Sequence, residues 1–410
     1  MELGEAGGES EDGNAMAKRD LIHGIPVKVD PAYIECELAA LWKPASETEG
    51  GEGAVVRACL TNLVVFLPGP AERDYVAPIL NEVFRSHPNR TLLLVVDDES
   101  FSGENRENRK GEESGKSRLQ AFIKTLCSVQ VRNSAPVCCE QITLRARPSD
   151  LQYFSGAVAP LLVPDIPFVL WWHEDYGHSL LLRLGSLADR IIVDSRKACH
   201  GCNSLQEIHK LKTREEIREV IDLGWRGLAP LRNVVAGLFD ENAILSLIKD
   251  IRYLEIKVVP SNDRVTLFGQ AALLSGWIAS RLNWSLHTRQ VGDDEVLVRF
   301  KSPSGKGGEI LLTTGSRGEN SILMPGEPMA VRLSTASDGS VSFVSIELDR
   351  STAMAARVDF GTAEACRLPK IIPMPRTTDT DLLNEILNRP SHPTIYGESL
   401  KEALKIMGIS

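Results

Sequence analysis

The sequence predicts a two-domain α/β protein: a mixed, largely parallel sheet with flanking helices, followed by a smaller α+β domain built on an antiparallel meander. Three observations carry this. Leu60–Leu67 (LTNLVVFL) and Arg90–Asp98 (RTLLLVVDD) are near-continuous apolar runs, the pattern of strands buried on both faces. Between them Tyr75–Phe84 reads as a short amphipathic helix, and strand, helix, strand implies a parallel βαβ unit. Beyond Arg252 the pattern changes to a long helical segment, Thr266–Leu282, followed by short alternating strands, as expected of an α+β domain. A chain of 410 residues accommodates two domains at roughly 100–200 residues each.

Residues 1–29 are rich in Gly, Glu and Ser and read as a disordered acidic tail with no apolar core for a secretory signal. The N-terminal domain is expected over 30–245. Asp30-Pro31 opens a helix, with Asp as N-cap and Pro at the first helical position, and Ile34, Leu38, Leu41 and Trp42 share one face. Residues 100–116 lack apolar periodicity and read as a mobile surface insertion. Leu119–Gln130 and Val137–Arg145 form a hairpin around Asn133-Ser134. Ser149 caps a helix carrying Leu151, Phe154 and Val158, and a strand over Pro167–Trp172, a helix over His178–Leu187 and a strand over Arg190–Asp194 follow. Leu205–Leu211 and Pro230–Phe239 are helical, and Thr213-x-x-Glu216 has the form of a capping box opening a helix between them. The C-terminal domain, 250–370, starts with a strand over Arg252–Val259; its meander comprises Val296–Lys301, Ile310–Thr314, Met329–Thr335, Ser342–Leu348 and Ala355–Phe360. Residues 371–410 read as a tail with two short helices.

The charge balance is acidic, 46 Lys+Arg against 55 Asp+Glu, for a net −9. That argues against a nucleic-acid or anionic-membrane binder, since both need a basic surface. The most apolar stretch, Ala157–Trp172, is broken by three prolines and Asp165, short of the ~20 apolar residues of a membrane span. The expected location is the cytoplasm. Eight cysteines are few for this length, so reduced thiols rather than a disulfide framework are expected.

Few motifs suggest chemistry. Gly111–Ser117 (GEESGKS) places three residues between its glycines where a phosphate-binding loop needs four, and reads as solvated loop. Cys199-His200-Gly201-Cys202 could be a redox dithiol near a helix N-terminus; with His209 it falls short of a convincing four-ligand zinc set, and incidental free thiols are the plainer reading. Cys138 and Cys139 alternate across a strand as ordinary packing. No G-x-S-x-G, H-E-x-x-H or G-x-G-x-x-G occurs, so no catalytic residue, cofactor or metal is assigned. Trp171-Trp172-His173-Glu174-Asp175 ends a strand where α/β proteins usually bind ligands. Core packing of both tryptophans is the plainer reading; the alternative makes one a partner-binding anchor. Asp194-Ser195 ends another strand, and Trp225-Arg226 follows in a helical segment. These six residues, Trp171, Trp172, Asp194, Ser195, Trp225 and Arg226, are the candidate partner surface, and Cys199 and Cys202 the candidate redox pair.

Six segments in order resemble the glucose-6-phosphate dehydrogenase assembly protein family (OpcA): Thr61–Val65, Cys138–Ile142, Leu170–Trp172, Ala188–Ser195, Asp222–Trp225 continuing through Leu228, Pro230, Arg232 and Phe239-Asp240, and Gly276–Trp284. Leu231 departs from the pattern, which has Trp beside Arg232, and so does the Cys199–Cys202 pair. The resemblance implies an accessory protein that binds glucose-6-phosphate dehydrogenase and promotes its active, oligomeric form in the oxidative pentose phosphate pathway, without catalytic residues of its own. Two other classes stay open: a dithiol oxidoreductase using Cys199 and Cys202, and a sensor binding a sugar phosphate near Asp194-Ser195.

Overall fold

A computed structural model describes residues 25–47, 56–97, 118–128, 136–197, 203–240, 250–263, 266–292, 294–316, 322–335, 342–348, 355–361, 368–388 and 393–409. The N-terminal tail to residue 24, the whole of residues 100–116 with the Gly111–Ser117 segment, and Cys199–Cys202 lie outside the described residues. Contacts divide the chain into two units: Met1–Ile192 with Glu215–Glu219 and Leu383–Arg389, and Val193–Arg214 with Val220–Leu382 and Pro390–Ser410. The division differs from the boundary expected near residues 245–250.

In the first unit the strands are β1 (Val27–Val29), β2 (Val56–Arg57), β3 (Asn62–Leu67), β4 (Arg90–Val96), β5 (Leu119–Ser128), β6 (Val137–Ala146), β7 (Phe168–Trp172) and β8 (Arg190–Val193, of which the first three residues belong here). They run β1-β5-β6-β4-β3-β7-β8, with β2 on β6. β3 pairs in parallel with β4 and β7, β4 with β6, and β7 with β8; β5 is antiparallel to β1 and β6. Every residue of β3 is buried, which is why that run shows no alternation. The helices are α1 (Ile34–Glu47), α2 (Pro70–Ser86), α3 (Gln152–Val158) and α4 (Ser179–Gly185). Asp30 caps the first turn ahead of α1, its Oδ1 accepting from the Ala32 N–H at 2.9 Å. α2 starts at Pro70, five residues before the expected start, because its first turns face solvent and carry no apolar period. The hairpin forms as expected, but its strands are joined by a Cys127–Cys138 disulfide between directly opposed residues. This corrects the expectation of reduced thiols: Cys138 is a cross-strand partner, while Cys139 stays a buried free thiol.

The second unit holds α5 (Ser204–Lys212), β9 (Val220–Asp222), α6 (Leu223–Gly227), α7 (Ala229–Leu238) and β10 (Ile251–Val258). α8 (Gly269–Arg281) leads to β11 (Ser285–Val291), β12 (Glu295–Lys301), β13 (Gly307–Thr314), β14 (Pro328–Thr335), β15 (Phe343–Leu348), β16 (Ala355–Gly361) and β17 (Lys370–Pro373). α9 (Asp379–Asn388, shared between the units) and α10 (Pro393–Met407) close the chain. The eight-stranded sheet runs β11-β12-β13-β10-β14-β15-β16-β17. Only the β10–β13 pairing is parallel, so the meander is interrupted by β10 at its centre. β11 escaped the sequence reading because it is a polar edge strand with almost every residue exposed. Thr213 also corrects an expectation. It ends α5 rather than starting a helix, its hydroxyl donating to the His209 and Lys210 carbonyls at 3.1 and 3.0 Å, and the following residues run into β9. α8 ends on Asn283, at φ +51°. The Trp284 N–H reaches back to the Ala279 carbonyl at 2.9 Å, as in a Schellman cap with Asn in the glycine position.

The last helix is a structural element and not a tail. α10 lies along α8 on a seam of small buried residues: Ala272, Ser275, Gly276 and Ala279 on one helix, Ser399 and Ala403 on the other. A methyl group on Gly276 would run into the Ser399 carbonyl oxygen and come within 2.7 Å of the Ala403 nitrogen. Both are backbone atoms, which cannot rotate away, so Gly276→Ala should destabilise the chain by about 2–3 kcal/mol of overpacking despite the better helix propensity of Ala. Gly237→Ala in α7, where nothing lies within 4 Å of the added carbon, should be neutral or gain up to about 1 kcal/mol. Chemical denaturation of the two variants side by side checks this; equal midpoints would contradict the close approach of α8 and α10.

Candidate functional site

In the first unit the strand-end tryptophans occupy opposite faces of β7. Trp172 stacks on Phe66 with centroids 4.2 Å apart, and its Nε1 donates to the Asp175 carbonyl at 3.1 Å. Trp171 lies on the other face, its ring 4.5 Å from that of His173. The sequence left open which of the two faces outward; both are 1% exposed. Neither offers a surface for a partner to dock on. The apolar side chain at this edge that does reach the surface is Tyr75 on α2, its ring 6.2 Å from His173.

The opposite, amino-terminal edge of the same strands carries a buried ion cluster. Arg90 opens β4 and Glu140 lies beside it on β6, 4% and 3% exposed as side chains. Arg90 Nε and Nη2 reach Glu140 Oε2 at 2.8 and 2.6 Å, and Nη1 reaches Glu35 at 2.6 Å and the Leu161 carbonyl at 2.8 Å. Glu140 Oε1 takes Trp42 Nε1 at 2.5 Å and Arg57 at 2.7 Å. Nearby, burial pushes the Cys139 thiol up to about 12 and raises the Cys59 thiol, which makes both inert at neutral pH. This edge holds α1, β2, β4 and β6 together.

In the second unit Asp194, Ser195 and Trp225 come together around a residue that the sequence reading did not single out, Asp222. Asp222 ends β9 and caps α6: its Oδ1 accepts the Gly224 N–H at 2.9 Å and the Ser195 N–H at 2.8 Å, and its Oδ2 accepts the Tyr396 hydroxyl at 3.0 Å. Trp225 lies against Tyr396 with centroids 5.6 Å apart, and the Arg232 guanidinium sits 3.5 Å over the Trp225 ring, close enough for a stacked cation–π contact. Lys212 is 5.9 Å over the far ring, Tyr396. Asp194 is buried and binds Arg196 in a fork, at 2.7 and 2.9 Å, while Arg196 also reaches Asp379 at 2.7 Å. Burial works against the Arg196 charge, but the adjoining Asp194 and Asp379 carboxylates more than offset it and hold the guanidinium charged. Asp194, Ser195 and Trp225 are thus buried members of a network; Arg226 and Arg232 are half-buried. Asp222-x-Gly could have been read as a cap. Tyr396, 174 residues away, left no local signal.

Burial raises the Asp222 carboxyl above the ordinary carboxylate range, and the nearby Asp194 charge adds to this, against the lowering effect of the Ser195 and Tyr396 bonds. A pKa raised in the folded state means the folded chain holds a proton that the unfolded chain releases. Stability from this group is therefore full below pH ~4 and is lost as pH rises through the folded value. Asn at 222 can accept both N–H groups and donate to Tyr396. Asp222→Asn should accordingly abolish this fall, and the stability difference between variant and wild type should grow in the variant's favour from pH 4 to 7. Parallel pH–stability curves would contradict it.

Two family models match the chain: the glucose-6-phosphate dehydrogenase subunit N-terminal domain over residues 80–211 and its C-terminal domain over residues 218–400. The chain belongs to the OpcA family. OpcA of Synechocystis sp., a candidate OxPP cycle protein, is 28% identical over 302 residues, and that of Nostoc punctiforme 26% over 300; each alignment covers 71% of this chain. The chain spans 61% of the length of these relatives. The 3-ketoreductase KijD10 of Actinomadura kijaniata superposes with a TM-score of 0.47 at 8% identity, over 86% of this chain and 97% of its own; a likeness that low transfers no chemistry. Trp171, Trp172, Asp194 and Ser195 fall in the OpcA N-terminal match, and Asp222, Trp225, Arg226, Arg232 and Tyr396 in the C-terminal one. No helix is long and apolar enough to cross a membrane among the described residues.

Proposed function

We propose that this chain is a non-catalytic accessory protein that binds glucose-6-phosphate dehydrogenase and promotes its assembly and activity in the oxidative pentose phosphate pathway. The observation that carries the reading is the match of both assembly-protein domains along most of the chain. The first βα turn adds support against a dinucleotide-dependent enzyme. Such enzymes rest the cofactor's phosphates on glycine-rich backbone N–H groups at this helix N-terminus. Here the turn reads Leu67-Pro68-Gly69-Pro70, Pro70 has no N–H, and Glu72 places a carboxylate in the first turn of α2.

The partner surface we propose is centred on the half-buried Arg226 and Arg232, with Arg232 stacked on the buried Trp225. Arg is enriched in binding hot spots, where truncation costs about 2 kcal/mol or more, roughly a thirtyfold loss of affinity. Co-purification of the chain with the dehydrogenase of its own organism tests the partnership. Arg226→Ala and Arg232→Ala, measured for both affinity and melting, test the surface. Retained affinity in both variants would move the interface elsewhere on the chain.

A further inference from the structure

Among the described residues, the second unit's sheet is clothed on one side only. Side chains on the covered face, such as Ile256, Val331, Ile346 and Val358, are essentially inaccessible. Those on the other face remain open, most plainly Tyr253, which is 48% exposed at the centre of the sheet on β10. Leu297, Leu311 and Phe343 on neighbouring strands are only half-buried. We propose that this outward face is where two copies of the chain pair, about a two-fold axis running along the strands between β10 and β14.

Charge singles out a second copy as the occupant. The chain as a whole carries −9, so most of its surface repels its own kind, yet this face is balanced. Arg299 pairs with Glu309 at 3.3 Å, Lys257 with Glu255 at 3.4 Å, and Arg357 with Asp359 at 2.9 Å. Arg332, Lys301, Glu347 and Glu295 add two charges of each sign, so the balance holds. The register is self-complementary as well. Glu255 on β10 stands directly beside Arg332 on β14. An axis between those strands exchanges their positions, setting Glu255 of each copy over Arg332 of the other. Arg332 is already oriented by its own face, with its guanidinium 5.1 Å over the Phe343 ring. Tyr253 and Arg332 lie on the two strands that flank the proposed axis, and Tyr and Arg are residue types enriched at interface centres. Six strands about 4.8 Å apart and seven residues long at about 3.3 Å each present roughly 650 Å² of plane. With side-chain relief this approaches the ~800 Å² per partner of a standard interface.

Sedimentation velocity on the full chain over a range of concentrations tests the proposal. The wild type is expected to sediment at twice the chain mass, and Tyr253→Glu to weaken the dimer at least tenfold while melting as the wild type does at dilutions where both are monomeric, since an exposed residue is being altered. Glu255→Arg and Arg332→Glu should each weaken it, and the double exchange should restore it, because both pairs are then reversed together. A wild type that stays monomeric, a dimer indifferent to Tyr253→Glu, or single exchanges that the double variant does not rescue would each overturn it. So would a monomeric wild type whose Tyr253→Glu variant loses the dehydrogenase instead, which would assign the face to that partner.

Discussion

Glu140→Ala is expected to destabilise the chain by about 3–5 kcal/mol, the cost of removing one partner from a buried ion pair. The loss is large because the carboxylate serves three donors on three elements: Arg90 on β4, Trp42 on α1 and Arg57 on β2. Glu35 is half-exposed and contacts only Nη1, so it cannot replace the bonds to Nε and Nη2. Glu140→Gln, which keeps an acceptor, should lie between variant and wild type. Glu82→Ala, which breaks an exposed pair with Arg85 at 3.3 Å, should leave the unfolding midpoint unmoved, since pairs in water contribute little. Urea denaturation of the three variants decides it, and a loss at Glu140 no larger than at Glu82 would contradict the buried cluster.

Trp172→Ala should cost a further 3–5 kcal/mol in its own right, through lost transfer energy and the cavity left beside Phe66. The consequence for function is the sharper part. A core tryptophan lowers stability without altering the affinity of molecules that remain folded, whereas a surface anchor does the reverse. Below its melting temperature the Trp172→Ala chain should bind the dehydrogenase as tightly as wild type does. Weakened binding at unchanged melting would show that the ring contacts the partner after all.

The parts of the fold legible in the sequence were those where burial alone sets the pattern. β3, β4 and β7 read as near-continuous apolar runs because both faces are covered, and the hairpin of β5 and β6 followed from two extended runs. The edge strand β11 was not legible, since it buries almost nothing and so shows no period. Thr213-x-x-Glu216 misled because Thr offers its hydroxyl equally well to the carbonyls ending one helix as to the N–H groups starting another, and spacing does not distinguish the two. For the candidate site, Asp194, Ser195 and Trp225, chosen from strand ends and the segment after them, converge on one buried network. Their shared partner Asp222 and its bond to Tyr396 depend on a contact spanning most of the second unit. The tryptophan pair could not be resolved by alternation, because alternation sends one ring to each face and here both faces are buried. The Cys127–Cys138 disulfide joins residues 11 apart in sequence; its pairing follows from the hairpin register, which two extended runs and a turn do not fix.

The most direct test of the accessory role is a titration of the cognate glucose-6-phosphate dehydrogenase with this chain, from sub-stoichiometric to equimolar ratios, following rate and oligomer distribution together. The account predicts a rising rate and a shift toward the larger oligomer, with no dehydrogenase activity from the chain alone. An unchanged rate and an unchanged oligomer distribution across the whole titration would contradict it.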